Sequence, residues 1–392
     1  MAAQRKTSRY VVPVAVAGIA AATIGLVPAL AASGDPDLPE ITAQQLIEKI
    51  AASDTQTLSG TFKVSTDLGL PAFDGLLGGI AGGAAGGEGS ADPSAQLTKL
   101  VSGTHTLKIA ADGPERQKLT LLDGKEQYSL VHNGDEVWAY DSRSNEVFHE
   151  KGVEGPGEAP EKELPASPQQ LADEVLKAAG DTTSLTVGGT AKVAGRDAYR
   201  LVIEPKQQGS TVDSVTIAVD AATGTPLKFT LDSTSGGKPV VDAGFTKVDF
   251  GKPAASEFDF TVPKGAKVTE GADIEKSHED AGKDLEKEFG DLGLGGGLGG
   301  GLGGDEGEMN VIGEGWTAIA RFDSGAPAPK TDEAPKEVQG FLDSFGEKVS
   351  GKFGSGTVFK TKIVNALMTE DGTVYVGAVT PQALVDAADA AR

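Results

Sequence analysis

From Thr61 to Leu68 the chain alternates: Phe62, Val64, Thr66 and Leu68 fall on one side of an extended backbone, Lys63, Ser65 and Asp67 on the other. A period of two marks a half-buried strand. Just upstream, ITAQQLIEKIAAS changes period. Ile41, Leu46, Ile50 and Ala51 form an apolar stripe, and Thr42 with Gln45 makes a capping box, so a short amphipathic helix leads into the strand.

Alternation resumes in THTLKIAADG, RQKLTLLDG, EQYSLVHNG and DEVWAYDS, separated by Asp112-Gly113, Asp123-Gly124 and Asn133-Gly134. Those dipeptides are hairpin turns, and the run predicts an antiparallel meander. KGVEGPGEAPEKELPA then reads as loop. In SPQQLADEVLKAAG a second helix is predicted, with Ser167 as N-cap, Pro168 at its first position, Gln170 completing the box and Gly180 as its stop.

More β segments follow: TSLTVGGTAKVAGRDAYRLVIEPK, TVDSVTIAVDAATGTPLKFTLDS with a Thr223-Gly224 turn, and PVVDAGFTKVDFGKPAASEFDFTVPKG. In the last, Phe258, Phe260 and Val262 share one face of what reads as a closing strand, stopped by Pro263. The order helix, strands, helix, strands predicts an α+β fold: a large curved antiparallel sheet, an incomplete barrel, with its concave side covered by the helices.

Composition sets the boundaries. Glycine dominates residues 69–94, which argues against a stable helix or central strand and reads as an inserted mobile loop, either a lid or low-complexity filler. Residues 271–308 turn charged and then glycine-rich, a linker. The half-barrel domain therefore runs over 40–270. Residues 309–392 form a small C-terminal α/β module: β (GEGWTAIARFD), helix (Val338, Phe341, Leu342, Phe345, Val349), strand (TVFKTKIVNALM), an Asp371-Gly372 turn, strand (TVYVGAV), and a helix from Pro381 with Thr380 as N-cap.

The start of the chain sets its address. Arg5, Lys6 and Arg9 precede an apolar run from Val11 to Leu30 and an Ala29-Leu30-Ala31 site, so residues 1–31 read as an export signal peptide. The alternative is an uncleaved membrane anchor, since the run approaches the roughly 20 residues that span a bilayer. An exported, extracytoplasmic chain is expected, secreted or in the cell envelope. It has no cysteine, hence neither disulfide nor lipidated cysteine. The formal charge of −22 argues against nucleic acid as a partner and against adsorption to anionic membranes.

Little points to catalysis. His105, His132, His149 and His278 show no metal-ligand spacing, and His105 lies in line with Leu107 and Ile109 as an ordinary strand residue. Neither G-x-S-x-G nor a P-loop lysine occurs, and no carboxylate pair is singled out. No enzyme activity, cofactor or metal is expected. What recurs is apolar side chains on β segments: Phe62, Val64, Leu107, Ile109, Leu119, Leu121, Tyr128, Leu130, Tyr199, Leu201, Phe229, Phe258 and Phe260. These either pack a filled core or line an apolar ligand-binding groove.

The order of elements from Ile41 to Val268, with its F-x-F-x-x-P-x-G ending at Phe258, Phe260, Pro263 and Gly265, resembles the LolA-like and RseB-like superfamily of exported lipoprotein carriers and envelope-stress sensors. The resemblance implies an incomplete β-barrel that holds acyl chains. Two departures stand out: the glycine-rich insertion, and a composition rich in Ala and Gly that suggests a Gram-positive type of exported protein, for which carriage to an outer membrane has no destination. The leading expectation is a non-enzymatic binder of lipid or acylated protein. The alternative is an RseB-like regulator that engages a membrane-bound anti-sigma-type partner. Burying an acyl chain gains about 0.8 kcal/mol per methylene, so an apolar groove alone suffices for binding.

Overall fold

The structure is a computed structural model, and it describes residues 35–69, 91, 103–152, 173, 176–177, 179–271, 310–323 and 346–391. The first helix forms where its capping box predicts, α1 (Ala43–Ala51): Thr42 Oγ1 accepts the Gln45 N–H, and the Gln45 side chain accepts the Thr42 N–H. It leads into β1 (Thr57–Thr66). The meander follows as β2 (Gly103–Asp112), β3 (Arg116–Asp123), β4 (Glu126–Asn133), β5 (Glu136–Asp141) and β6 (Glu146–Lys151).

A second meander comprises β7 (Thr183–Val193), β8 (Arg196–Pro205), β9 (Val212–Asp220), β10 (Pro226–Ser233) and β11 (Val241–Asp249). Antiparallel pairing of β1 with β11 joins the two into one twelve-stranded sheet, ordered β12-β6-β5-β4-β3-β2-β1-β11-β10-β9-β8-β7, where β12 (Lys267–Glu270) runs parallel to β6. The sheet is therefore mixed at that one edge. It is also strongly curled. β7 makes contact with β11, although a flat sheet would separate them by four strand spacings, roughly 19 Å.

Gly60 sits where β1 meets the bulge opposite Thr61 and Phe62. A Cβ there would lie 2.4 Å from the Lys247 carbonyl oxygen and 2.9 Å from the Phe245 ring. Only a residue without a side chain lets the two meanders approach this closely.

Two further expectations about this sheet are corrected. Helices do not cover the concave side among the described residues. α1 packs at one end of the sheet, on β7, β8 and β9, through Leu46 and Ile47 against Tyr199, Leu201 and Val219. Of the helix predicted from Ser167, the described residues Asp173, Leu176, Lys177 and Ala179 are helical, and the rest lies outside the described residues. Among the described residues it is mainly sheet curvature, and only at the α1 end a helix, that brings the apolar stripes together.

Second, SEFDFTV is not a strand. Ala255–Phe258 is a 3-10 turn, 259–263 carries no strand, and strand geometry begins only at Lys267. A strand needs a free backbone edge. This segment reaches one, on β6, only after Gly265 turns the chain at φ +77°.

The C-terminal residues build a second sheet, ordered β13-β14-β18-β17-β16-β15, from β13 (Asn310–Ile312), β14 (Ile319–Asp323), β15 (Gly346–Gly351), β16 (Gly354–Phe359), β17 (Asn365–Thr369) and β18 (Thr373–Gly377). It is antiparallel throughout, and α2 (Pro381–Ala390), capped by Thr380, packs on β15, β17 and β18. This replaces the α/β arrangement expected there. Val349, expected on a helix, lies on β15, and the other predicted positions of that helix lie outside the described residues. TVFKTKIVNALM divides into β16 and β17 because Thr361 and Asn365 reverse the chain. The Asn365 side chain accepts the Thr361 N–H at 2.9 Å and donates to the Val379 carbonyl at 2.7 Å.

The two sheets are docked. Ser210 and Val379 form an antiparallel bridge, flanked by Thr211 N–H to Ala378 O at 2.9 Å and Thr380 N–H to Gly209 O at 2.8 Å. Val212, Val240 and Ile363 are buried together beneath these bonds.

Candidate functional site

Cross-strand register decides which side chains share a face. Leu107 pairs with Phe62 and Leu121, and Leu121 with Tyr128; the next row runs Ile109, Leu119, Leu130, Ala139, Phe148. On the other meander, Val64 pairs with Ala243, then Phe229, Ile217 and Leu201, with Tyr199 two residues along the same strand. All the predicted groove residues except Phe258 and Phe260 thus lie on one face, the inner face of the curled sheet.

Most of them share one buried cluster, within which the Phe62 and Phe245 rings meet edge to face at 5.1 Å. Phe229 packs against its margin. Tyr199 and Leu201 belong instead to the cluster under α1. Beside that helix, a depression of about 360 Å³ is lined by Ile41, Gln45, Glu48, Lys49, Ala52, Tyr199 and Ala221. Of the glycine-rich insertion only Gly69 and Ala91 are described. The Tyr128 hydroxyl donates to the Ala91 carbonyl at 3.2 Å, fastening that point over the inner face.

The inner face is not wholly apolar. A third row runs Ala111, Gln117, His132, Val137, Glu150, and Gln117 and His132 are both buried. Sequence reasoning passed over Gln117 and weighed His132 only as a metal ligand, although the signal was present. Gln117 stands two residues before Leu119, and His132 two after Leu130, so each is a polar residue at an apolar position of its strand.

Phe258 and Phe260 lie on the opposite face. The register row Lys118, Val131, Trp138, His149 defines that outer face, and the 251–266 strap crosses it. Phe258 is completely buried there, its turn packed on β3 and β4, while Lys118 Nζ donates to the Glu257 carbonyl at 2.9 Å. Trp138 stacks with His149, at 3.6 Å between centroids, and with Phe260, at 5.2 Å. His149 Nδ1 lies 3.0 Å from Glu270 on β12. Glu136 accepts from the Trp138 indole and pairs with Lys151, whose hydrogen bond holds the Glu136 carboxyl below its ordinary range. These contacts tie the strap to the sheet.

Among the described residues no group of His, Cys, Asp and Glu is placed to hold a metal, and no helix is long and apolar enough to cross a membrane.

No curated protein matches the chain. Residues 96–262 match the MucB/RseB N-terminal domain family. The RseB-like resemblance read from the element order and the phenylalanine ending thus holds for the segment that carries β2 to β11 and most of the strap. Among solved structures, the chain is similar to the MucA/MucB complex of Pseudomonas aeruginosa, at 16% identity over 88% of this chain and 96% of that one, TM-score 0.38. It is also similar to an uncharacterized conserved protein from Thermus thermophilus, at 14% identity over 58% of this chain and 98% of that one, TM-score 0.31. A LolA superfamily protein from Nitrosomonas europaea is similar at 10% identity over 56% of this chain and 99% of that one, TM-score 0.21. The MucB/RseB match takes in every strand of the twelve-stranded sheet except β1 and β12.

Proposed function

We propose that this chain is an exported, non-enzymatic, RseB-like regulatory protein that engages the extracytoplasmic part of a membrane-bound anti-sigma-type partner. The observation that carries this reading is the match of residues 96–262 to the MucB/RseB N-terminal domain. MucB has been solved in complex with MucA, which motivates a protein partner here. The docked second sheet supports it as well, because bonds such as Thr211 N–H to Ala378 O join both modules into one surface that a partner can span. Export rests on the Arg5-to-Ala31 signal pattern.

The test is direct. The mature chain is titrated by calorimetry with the purified extracytoplasmic segment of the membrane-bound anti-sigma-type proteins of its own organism. Micromolar or tighter binding to one of them is expected, and no detectable heat or co-migration with any of them retires the reading.

A second reading concerns the ligand. The inner face, with Phe62, Val64, Leu107, Ile109, Leu119, Leu121, Tyr128, Leu130 and Phe229 in register, supports binding of a lipid or of the acyl chain of a lipoprotein. Tyr199 and Leu201 extend that face toward α1. Native mass spectrometry of gently purified protein should then find bound lipid. A reproducibly empty protein that also ignores a fluorescent fatty-acid probe removes this reading without touching the first.

A further inference from the structure

Gln117 on β3 and His132 on β4 stand directly opposite each other and are 6% and 2% exposed. Gln117 Oε1 and both ring nitrogens of His132 are buried with no hydrogen-bond partner among the described residues. Folded proteins leave very few buried polar atoms unpaired, because each then bears its full desolvation cost. Three such atoms on two cross-strand neighbours mark a place for a polar group from outside the chain.

The surroundings narrow its chemistry. Leu119 and Leu130 pair with each other two residues along on the same face, and Ala111 and Val137 flank the pair on β2 and β5. The occupant therefore joins a polar end to an apolar body. Glu150 is the charged residue in that row, and no lysine or arginine stands in it among the described residues. Nothing in the row compensates a carboxylate or phosphate, so a neutral head fits better than an anionic one. A neutral imidazole offers one donor and one acceptor, and an amide oxygen accepts. A hydroxyl group answers both requirements, since it donates and accepts.

We propose that Gln117 and His132 form the polar end of the inner-face site and bind the uncharged, hydroxyl-bearing head of an acyl amphiphile, with its chain entering the apolar cluster at Leu119 and Leu130. This rests on the acyl-binding reading of the inner face and names the head group which that face selects.

The test uses the full mature chain and two probes, a monoacylglycerol and the same molecule with its hydroxyls capped as methyl ethers, each displacing a fluorescent fatty acid. Wild type is expected to prefer the free hydroxyl form by at least roughly tenfold, because the capped form cannot donate to Gln117 or to the ring. The Gln117→Leu/His132→Phe double variant should lose the preference. Its thermal midpoint should not fall, because the changes remove unpaired polar atoms.

Should that variant fail to fold, the wild-type ring supplies the answer: the His132 ¹⁵N resonances should move with the free hydroxyl probe and not with the capped one. Equal binding of both probes by wild type, the sign of a buried water alone, overturns the head-group assignment and leaves acyl binding standing. A preference that survives in the double variant does the same. Failure of both probes to bind removes the acyl reading itself.

Discussion

The indole of Trp138 and the ring of Phe260 stack at 5.2 Å with 23° between their planes, which fixes the strap after β11 to the outer face of the first meander. Its companion Phe258 is completely buried, whereas Phe260 is only partly so. Truncating a fully buried phenylalanine costs about 3–5 kcal/mol, and losing one exposed side of a stack costs about 1 kcal/mol. Urea unfolding should therefore separate Phe258→Ala from Phe260→Ala by about 2 kcal/mol or more. Equal losses would mean that the 3-10 turn does not anchor the strap.

Arg196 grips Asp220 through two bonds, Nε to Oδ1 at 2.5 Å and Nη2 to Oδ2 at 2.9 Å, and Asp220 also accepts from the Thr223 backbone and hydroxyl. Burial pushes this carboxyl up and is the largest single influence, but the bonds from Arg196 and Thr223 together outweigh it, and its pKa lies below the ordinary value. A depressed carboxyl contributes stability above its unfolded pKa of about 3.9 and loses it as pH falls through the folded value. Arg196→Met should cost about 3 kcal/mol at pH 7 by stranding the buried carboxylate. That difference should shrink as pH drops below about 4; a difference constant with pH would refute the assignment.

Asp242 runs the other way. Burial raises its carboxyl, and Lys228, 3.4 Å away, offsets only part of that. A raised carboxyl destabilises the fold above its folded pKa, and that penalty disappears as pH falls. Asp242→Asn should hold or raise the unfolding midpoint at pH 7 and lose its advantage in mild acid. A clear loss at pH 7 would show the Lys228 pair to be stabilising.

Gly224 follows β9 at φ +76°, and a Cβ there would lie 2.2 Å from the Lys49 carbonyl oxygen at the end of α1. Both the backbone region and the space exclude alanine. We expect Gly224→Ala to cost about 2 kcal/mol or more and to loosen α1, seen as faster amide exchange over Ala43–Ala51. Unchanged exchange would show that the helix does not rest on this turn.

Ile363 is buried between the sheets with Val212 and Val240, while Lys362 N–H donates to the Leu68 carbonyl at 2.9 Å. Ile363→Asp puts an unpaired charge there. Calorimetry should resolve the single transition expected of the docked wild type into two. One unsplit transition at the wild-type midpoint would mean that the interface is not what couples the modules.

Local signals carried far in this chain. Thr42 and Gln45 are capped as their spacing requires, because a capping box closes within one helical turn. The hairpins at Asp123-Gly124 and Asn133-Gly134 form because turn chemistry is complete in two residues. Alternation placed Phe62, Leu107, Leu119 and Leu130 on a common face, since strand geometry alone puts every second side chain together.

What alternation cannot say is which of two faces a segment will meet, or whether it finds a strand partner at all. Phe258 and Phe260 carry the same pattern as a strand, yet they cap the outer face, because the backbone edge on β6 becomes available only beyond Gly265. Val349 likewise fits a helical stripe and lies on β15, paired with Gly356. Gln117 and His132 stand out as a site only once register sets them opposite each other with no hydrogen-bond partner among the described residues. The sequence by itself determined caps, turns and faces, which are decided within a few residues. Only the tertiary structure decided partners, edges and burial, because these depend on backbone brought together from distant parts of the chain.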